Sequence, residues 1–567
     1  MTASQFKTVA LDTSVRARER FKSLLFLLQE HENKLLTNDL CVEILKDLVK
    51  IGATKPDRFL KEFGLLQKWN SNPSSLTDAE LDLIFSQQTG VRKDGTIVGQ
   101  PGFAAGWPTR FLNIYKKMRC MGLVEFYEPG ADDSKAKPLK ITALGKELLS
   151  CVDPIDNPLY PRVYPKERLV FTHIIAKYHS NNPFYNVKNT TRPFVLVMEV
   201  IQLINRDPDL NPVGKTPSGI RLYELLFIMT AEEHDAEKVY LEIKSFRAKH
   251  KANVSLEVAI TYINSLRSFD LPVKDTTTSH IDTFRRTMLI STIFSNDRGR
   301  NFSINSSAQP LFKHILKNYS NPQASNVLND RKAYLKYSES IDRNILNFHS
   351  TKKVKSATQF LPSQVKIWTW SEIKNELSNI SKNKDAKDPF LKSIDAPLRL
   401  EFLSAISLKK QLPSLTVEPG YSVDDYGTPT SFAGAGHPDI LCKEGNSEII
   451  VELTTIRSAQ QIAAEMVPIH HHLIDLINRG NNKKDYGVVF IAPKIHPRSN
   501  TYGKFMHFEE NLSLANIDID DFINQLPSKK SLRDLFDYFQ IKSKYSSSEI
   551  DAVFSELKRI DPTNSLI

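Results

Sequence analysis

Cysteine is scarce in this chain: Cys41, Cys120, Cys151 and Cys442 are all that 567 residues contain. No two stand in CxxC spacing, so no disulfide framework and no zinc motif is visible, and a reducing cytoplasm suits the composition. The start, Met1-Thr2-Ala3-Ser4-Gln5, lacks the apolar core of a secretory signal. The longest apolar runs, such as Leu24 to Leu28, are far too short to cross a bilayer. A membrane partner is therefore not expected. No regular repeat period is found, and no GxxxxGK phosphate loop.

What is present is an ordinary globular composition, 41% hydrophobic and 25% charged. The length allows about three or four domains. Charge is unevenly spread. Residues 1–330 hold 44 Lys/Arg against 36 Asp/Glu, residues 331–370 hold 8 against 2, and residues 371–567 hold 23 against 27. The stated net +10 thus lies in front of an acidic C-terminal part. A basic front joined to an acid-bearing back suits a nucleic-acid-holding part and a metal-dependent part. A net +8 over the first 330 residues is unremarkable by itself; the density in 331–370 is not.

The N-terminal half reads as mainly helical. Residues 13–50 give two helices, the second over Asn38 to Ile51, and residues 75–88 a third. Thr89 to Gly106 is a loop holding five glycines, Gly90, Gly95, Gly99, Gly102 and Gly106, with Arg92 and Lys93. Trp107 to Met121 reads as a helix with Phe111, Leu112, Tyr115 and Met118 on its apolar side. Thr109, Arg110, Asn113, Lys116, Lys117 and Arg119 are its polar residues, and Gly122 stops it. Strands at Leu123–Tyr127 and Pro138–Thr142 would follow, across a turn with Pro129-Gly130. Helix, strand, turn, strand resembles a winged helix, with Trp107–Met121 as the recognition helix. Its basic residues, with Arg92 and Lys93, are candidates for contact with bases or phosphates. A solvated basic helix face is the bland alternative.

A second helical block contains Phe194–Asn205, Gly219–Thr230 and Asp235–Lys249. Ser279–Ser295, with Arg285 and Arg286, then a turn and Asn301–Asn305, form a weaker winged-helix-like signal. The expected division is 1–160 and 161–325 as recognition subdomains, 326–368 as a basic linker around Lys352-Lys353-Val354-Lys355, and 369–567 as an α/β domain. Trp368 and Trp370 at its start mark core or a domain seam sooner than a base-stacking platform.

The densest chemistry lies in that last domain. Asp439 and Glu452 straddle Glu444-Gly445-Asn446-Ser447, a turn signal. With Gly445-Asn446 as a two-residue loop, Ile440 pairs with Val451 and Cys442 with Ile449 on an apolar face. Asp439 then lies across from Glu452 on the other face, with Cβ atoms roughly 5 Å apart. Like charges so placed repel unless a cation sits between them. A surface hairpin with one wetted face is the competing reading. Upstream, Leu398 to Leu408 reads as a helix carrying Glu401. Downstream, Ser458 and Gln461 form a capping-box pattern that starts a helix. Its buried stripe would be Ile462, Met466, Ile469, Leu473 and Leu476, with Glu465 beside it and a kink at Pro468. The strand Tyr486 to Ile491 follows. The adjacent His470-His471-His472 cannot all ligate one ion, since neighbours on a helix point about 100° apart.

The order Glu401, Pro438-Asp439, Glu452-Leu453-Thr454 resembles the PD-(D/E)xK nuclease core. The Val-Glu-Leu-Thr form, with Glu465 thirteen residues on, is similar to the AlwI-type group of type IIS restriction and nicking endonucleases. That resemblance implies a multidomain protein with a mainly α, winged-helix-like N-terminal region and an α/β nuclease domain. It implies Asp439, Glu452 and Glu401 as metal ligands, and those three with Glu465 as the catalytic set. The departure from the general pattern is Thr454, where most relatives carry Lys; it leaves the water-activating group open among Lys494, His470 and a second metal. An oxygen-only donor set calls for Mg²⁺, one or two per site. Double-stranded DNA is the implied substrate, bound at a short asymmetric site and cut a few base pairs outside it, within a restriction-modification system of a prokaryotic cytoplasm. Cutting both strands would need a homodimer or a second catalytic subunit; without either the enzyme nicks. A DNA-binding regulator, and a nuclease without sequence preference, are the competing classes.

Overall fold

The computed structural model describes residues 18–86, 108–125, 137–151 and 165–543, less short stretches at 185–188, 212–218, 251–253, 268–270, 272–273, 292, 299, 320–324, 341, 347–355, 434–436 and 481–484. The chain divides into two compact units. The first is Met1–Lys355 with Val423–Ser431; the second is Ser356–Ser422 with Phe432–Ile567. The division falls inside the expected linker, whose central basic run lies outside the described residues. Among the described residues no helix is long and apolar enough to cross a membrane.

The first unit is mainly helical. The helix Asn38–Lys50 buries Ile44, Leu45 and Leu48, as its apolar spacing predicts. Thr37 starts it, its Oγ1 accepting from the Leu40 amide at 3.2 Å. The expected recognition helix is present as Pro108–Cys120, with Phe111, Tyr115 and Met118 buried. Gly122 ends it at φ +73°, a left-handed turn that only glycine adopts freely. The two strands expected after it are, among the described residues, only the isolated bridges Leu35–Pro138 and Val124–Ile141. Their intervening turn lies outside the described residues. A single apolar core runs from Phe21 to Leu346, through both expected recognition subdomains and into the expected linker.

The weaker of the two winged-helix signals gives the better-formed sheet. After the helix Lys274–Ile290 come β2, Phe294–Asp297, and β3, Asn301–Ile304; with β1, Ile220–Arg221, they form an antiparallel sheet of order β1-β3-β2. Residues 423–431 join this unit: Asp424 accepts from the Asn296 amide at 3.0 Å, and Asp425 from the Ser306 amide at 2.8 Å.

The second unit is an α/β fold around a mixed five-stranded sheet. Its strands are β4, Thr416–Pro419, β5, Ile440–Glu444, β6, Ser447–Leu453, β7, Asp485–Ala492, and β8, Leu514–Asp518, in the order β8-β7-β6-β5-β4. β4, β5 and β6 run antiparallel; β6, β7 and β8 run parallel, so helices must cross over between them. Those crossovers are Val467–Arg479 and Pro497–Glu510. Met466, Ile469 and Leu473 pack on Ile450, Val488 and Phe490 of the sheet. The helix Ala396–Gln411 is buried on every side from Leu398 to Leu408, as a helix with no polar stripe must be. Trp368 packs against Phe390 and Phe402 with ring centroids 5.9 and 5.8 Å apart, a core position as expected.

Candidate active site

The site begins with the register of one hairpin. Ile440 pairs with Val451, Cys442 with Ile449, and Glu444 with Ser447 around Gly445, whose φ of +57° makes the two-residue turn. Ile440, Cys442, Ile449 and Val451 are all buried, so the face opposite the acids is core. Asp439 immediately precedes β5, and its Oδ2 accepts from the Leu453 amide at 2.8 Å. That bond fixes Asp439 across the hairpin, beside Glu452. Glu452 is itself buried, and its Oε1 lies 2.8 Å from Nδ1 of His472 on the crossover helix. Glu452 is therefore covered, while Asp439 is half-buried and the turn at Gly445-Asn446 is exposed.

Glu465 reaches the same strand by a different route. It lies in a π-helical turn, Ile462–Met466, that opens directly into the helix Val467–Arg479. Pro468 has no amide hydrogen for an ordinary helical bond at this point, and a π turn accommodates the gap. The Glu465 Oε1 accepts from the Thr454 hydroxyl at 2.8 Å, with both residues buried. The expected capping box does not form. The Gln461 side chain instead donates to the carbonyls of Ile456 and Lys494, and accepts from the His496 amide and the Ser499 hydroxyl. A fully buried amide with four partners gains more there than at a solvated helix end.

Glu401 is buried in the middle of the helix Ala396–Gln411. The Tyr421 hydroxyl is buried without a hydrogen-bond partner among the described residues. Burial first, and the negative charge of Glu401 second, push its ionisation well above the usual phenol range. Among the described residues no three His, Cys, Asp or Glu side chains converge closely enough to hold an ion as a set. Among the described residues, Glu401 is not gathered with Asp439 and Glu452 into such a set. The pair Asp439–Glu452 is what the hairpin assembles. The donor chemistry still suits Mg²⁺, which takes one or two carboxylates and keeps its waters. The one cysteine of the hairpin, Cys442, lies in the buried opposite face.

Of the candidates for activating water, Lys494 is exposed, and its charge acts on Asp518. His470 stacks on His471 at 6.0 Å, and it is His472 that meets a carboxylate. The seven-residue step from Glu465 to His472, two helical turns, is the signal in the sequence that singles His472 out of the three.

The expected DNA-contact set fares differently. Lys117 is fully buried, its Nζ 4.7 Å from the Phe21 ring centroid. Arg119 is buried against the Tyr115 and Phe184 rings. Neither presents its charge to solvent, so both leave the set: a long aliphatic stem that spacing alone assigns to the polar side is here packed into core. Lys116 is half-buried. The backbone at Thr109, Arg110 and Asn113 is helical, but their side chains lie outside the described set, as Arg92 and Lys93 do entirely. Arg285 and Arg286 are also buried, paired with Asp282.

The second unit thus presents a hairpin bearing two carboxylates, joined by a crossover helix to a parallel strand. Residues 351–523 match the family model described as AlwI restriction endonuclease, so this part of the chain is similar to that family. Among solved structures, the small subunit (R.BspD6I2) of the heterodimeric restriction endonuclease R.BspD6I is 19% identical with a TM-score of 0.26, over 30% of this chain and 87% of that one. Restriction endonuclease FokI is 10% identical with a TM-score of 0.22, over 92% and 97%; FokI bound to DNA is 11% identical at the same TM-score and coverage. No curated protein matches the chain.

Proposed function

We propose that this is a type IIS enzyme of a restriction-modification system: the first unit binds a short asymmetric duplex sequence, and the second hydrolyses phosphodiester bonds a few base pairs outside it. The observation that carries the reading is the hairpin register that sets Asp439 beside Glu452 over a buried apolar face. Asp439 and Glu452 would hold Mg²⁺, with Glu401 and Glu465 as the further catalytic acids. A bound Mg²⁺ supplies Lewis acidity toward the phosphoryl oxygen and a water made nucleophilic near neutral pH. The chain's own groups hold the carboxylates: the Leu453 amide orients Asp439, His472 orients Glu452, and Thr454 orients Glu465.

One acid cluster per chain cuts one strand. Double-strand cleavage takes a second copy of this chain or another catalytic subunit, and a lone chain nicks. In the first unit, the winged-helix reading rests on the helix Lys274–Ile290 followed by the β2–β3 hairpin, and on Pro108–Cys120. With Lys117 and Arg119 buried, the candidates for DNA contact are Arg92, Lys93, Thr109, Arg110, Asn113 and Lys116, joined by Arg298 and Arg300, both exposed at the β2–β3 turn. The test is plasmid cleavage with Mg²⁺ and with EDTA, followed by sequencing of the cut ends on both strands. Discrete ends at a constant offset from one sequence are expected, lost in EDTA. Intact plasmid in Mg²⁺, or ends scattered without preference, would overturn the reading.

A further inference from the structure

Thr454 stands two residues beyond Glu452, just past the end of β6, and its surroundings leave its hydroxyl one direction to point. Its amide donates to the Ile491 carbonyl at 3.0 Å, which fixes the backbone to β7. Its Oγ1 accepts from the Ile456 amide at 3.2 Å. The single hydroxyl hydrogen then goes to Glu465 Oε1 at 2.8 Å. Both side chains are buried, Thr454 at 5% and Glu465 at 8% exposure, so no water competes for that bond.

Glu465 is also constrained from its own helix. Gln461, four residues before it, is locked by four side-chain hydrogen bonds. Pro468 follows it, and the π turn between them sets which way residue 465 faces. A π turn is rare and is frequently found at functional sites. Two independent features, the strand-end hydroxyl and the π turn, converge on one carboxylate, held two residues beyond Glu452 on the chain that leaves β6.

We infer that Thr454 is a positioning residue for the hydrolytic reaction: its hydroxyl donates to Glu465 and, together with the π turn, sets how that carboxylate is held. The inference rests on the nuclease reading and adds to it the residue through which Glu465 acts. Thr454 itself touches neither substrate nor ion in this role.

The experiment compares Thr454→Val, Thr454→Ser, Glu465→Gln and the double variant Thr454→Val/Glu465→Gln as full-length chains in steady-state cleavage, with calorimetric Mg²⁺ titration and thermal unfolding alongside. Valine keeps the shape and loses the hydrogen; serine keeps the hydrogen. Thr454→Val is expected to lower kcat by about 10- to 100-fold with KM within twofold, on the scale of removing a partner that orients a site carboxylate. Mg²⁺ affinity should stay within about threefold, since Asp439 and Glu452 are untouched. Thr454→Ser should recover most of the loss, and the double variant should be no slower than Glu465→Gln alone. A Thr454→Val enzyme with wild-type kcat, a serine variant as slow as the valine one, or additive losses in the double variant would each overturn the inference. Should the valine variant fail to fold, the serine variant decides: a kcat as low as that of Glu465→Gln in a folded protein refutes it. If the wild-type chain cuts no DNA in Mg²⁺, the nuclease reading falls and takes this inference with it; a cutting wild type with an indifferent Thr454 sinks the inference alone.

Discussion

His472 Nδ1 and Glu452 Oε1 lie 2.8 Å apart, joining the crossover helix to the strand that bears the central carboxylate. Their side chains are 16% and 7% exposed. A partner that holds a metal-binding carboxylate in place affects affinity about 10–100-fold in comparable sites. His472→Ala is therefore expected to weaken Mg²⁺ binding by that factor, measured by calorimetry on the protein without DNA. His471→Ala, whose residue is exposed, should leave it within twofold. Equal effects from the two would mean that the His472 contact does nothing for the ion.

Asp439 is held by the Leu453 amide through one oxygen. Asp439→Asn can keep that bond through its carbonyl oxygen while losing the charge. Cleavage should fall at least about 100-fold, as expected when an electrostatic element of a site is removed, while retention of duplex DNA on a gel persists. A variant that loses DNA retention to the same extent would place Asp439 in binding instead of catalysis.

The hairpin bearing Asp439 and Glu452 was legible because a period of two and a glycine turn determine register together; a one-residue slip would have turned Ile440, Cys442, Ile449 and Val451 out of the core. The helix carrying Glu401 was legible from its apolar run. What escaped was long-range. Gln461 fits a local capping rule, yet its amide meets groups 33 to 38 residues away, and no local pattern encodes that. The choice of His472 among three histidines depends on which face of the helix meets β6. Lys117 and Arg119 misled for a related reason: helix period places them beside the apolar stripe but does not show that Phe21 and Phe184 close over them.

Acid should loosen the first unit through two buried histidines. Burial first, then the charge of Lys177 for His173 and of Arg192 for His179, push both down to about 3. The unfolded chain takes up these protons near the ordinary histidine value, so it binds more protons than the folded state between about 6.5 and 3. Stability from this source is present above about 6.5 and lost as pH falls toward 3, by on the order of 4 kcal/mol per histidine. His179→Phe keeps a ring beside Tyr337, 6.2 Å away in the wild type, and removes one such proton. Urea unfolding at pH 7, 5.5 and 4.5 should show the variant losing less stability with acid than the wild type. Parallel losses in the two proteins would show that His179 does not remain neutral in the folded state.

Lys117 and the β2–β3 turn make opposite predictions about DNA. The Lys117 ammonium is enclosed over the Phe21 ring, so Lys117→Met should leave duplex affinity within twofold at every salt concentration. Lys117→Ala removes the buried stem and should cost about 2–3 kcal/mol of stability with the same unchanged DNA affinity. Arg298 and Arg300 are exposed, and Arg298 has φ +50°, a left-handed backbone that arginine adopts rarely. If they meet phosphates, replacing both by Gln lowers the slope of log affinity against log salt by about 1–2, at roughly 0.9 per phosphate contact, and weakens all duplex sequences alike. Binding measured between 50 and 200 mM salt (~fourfold in ionic strength) separates the cases. A reduced slope in Lys117→Met would reinstate that residue as a contact, and an unchanged slope in the Arg298/Arg300 variant would remove the turn from the interface.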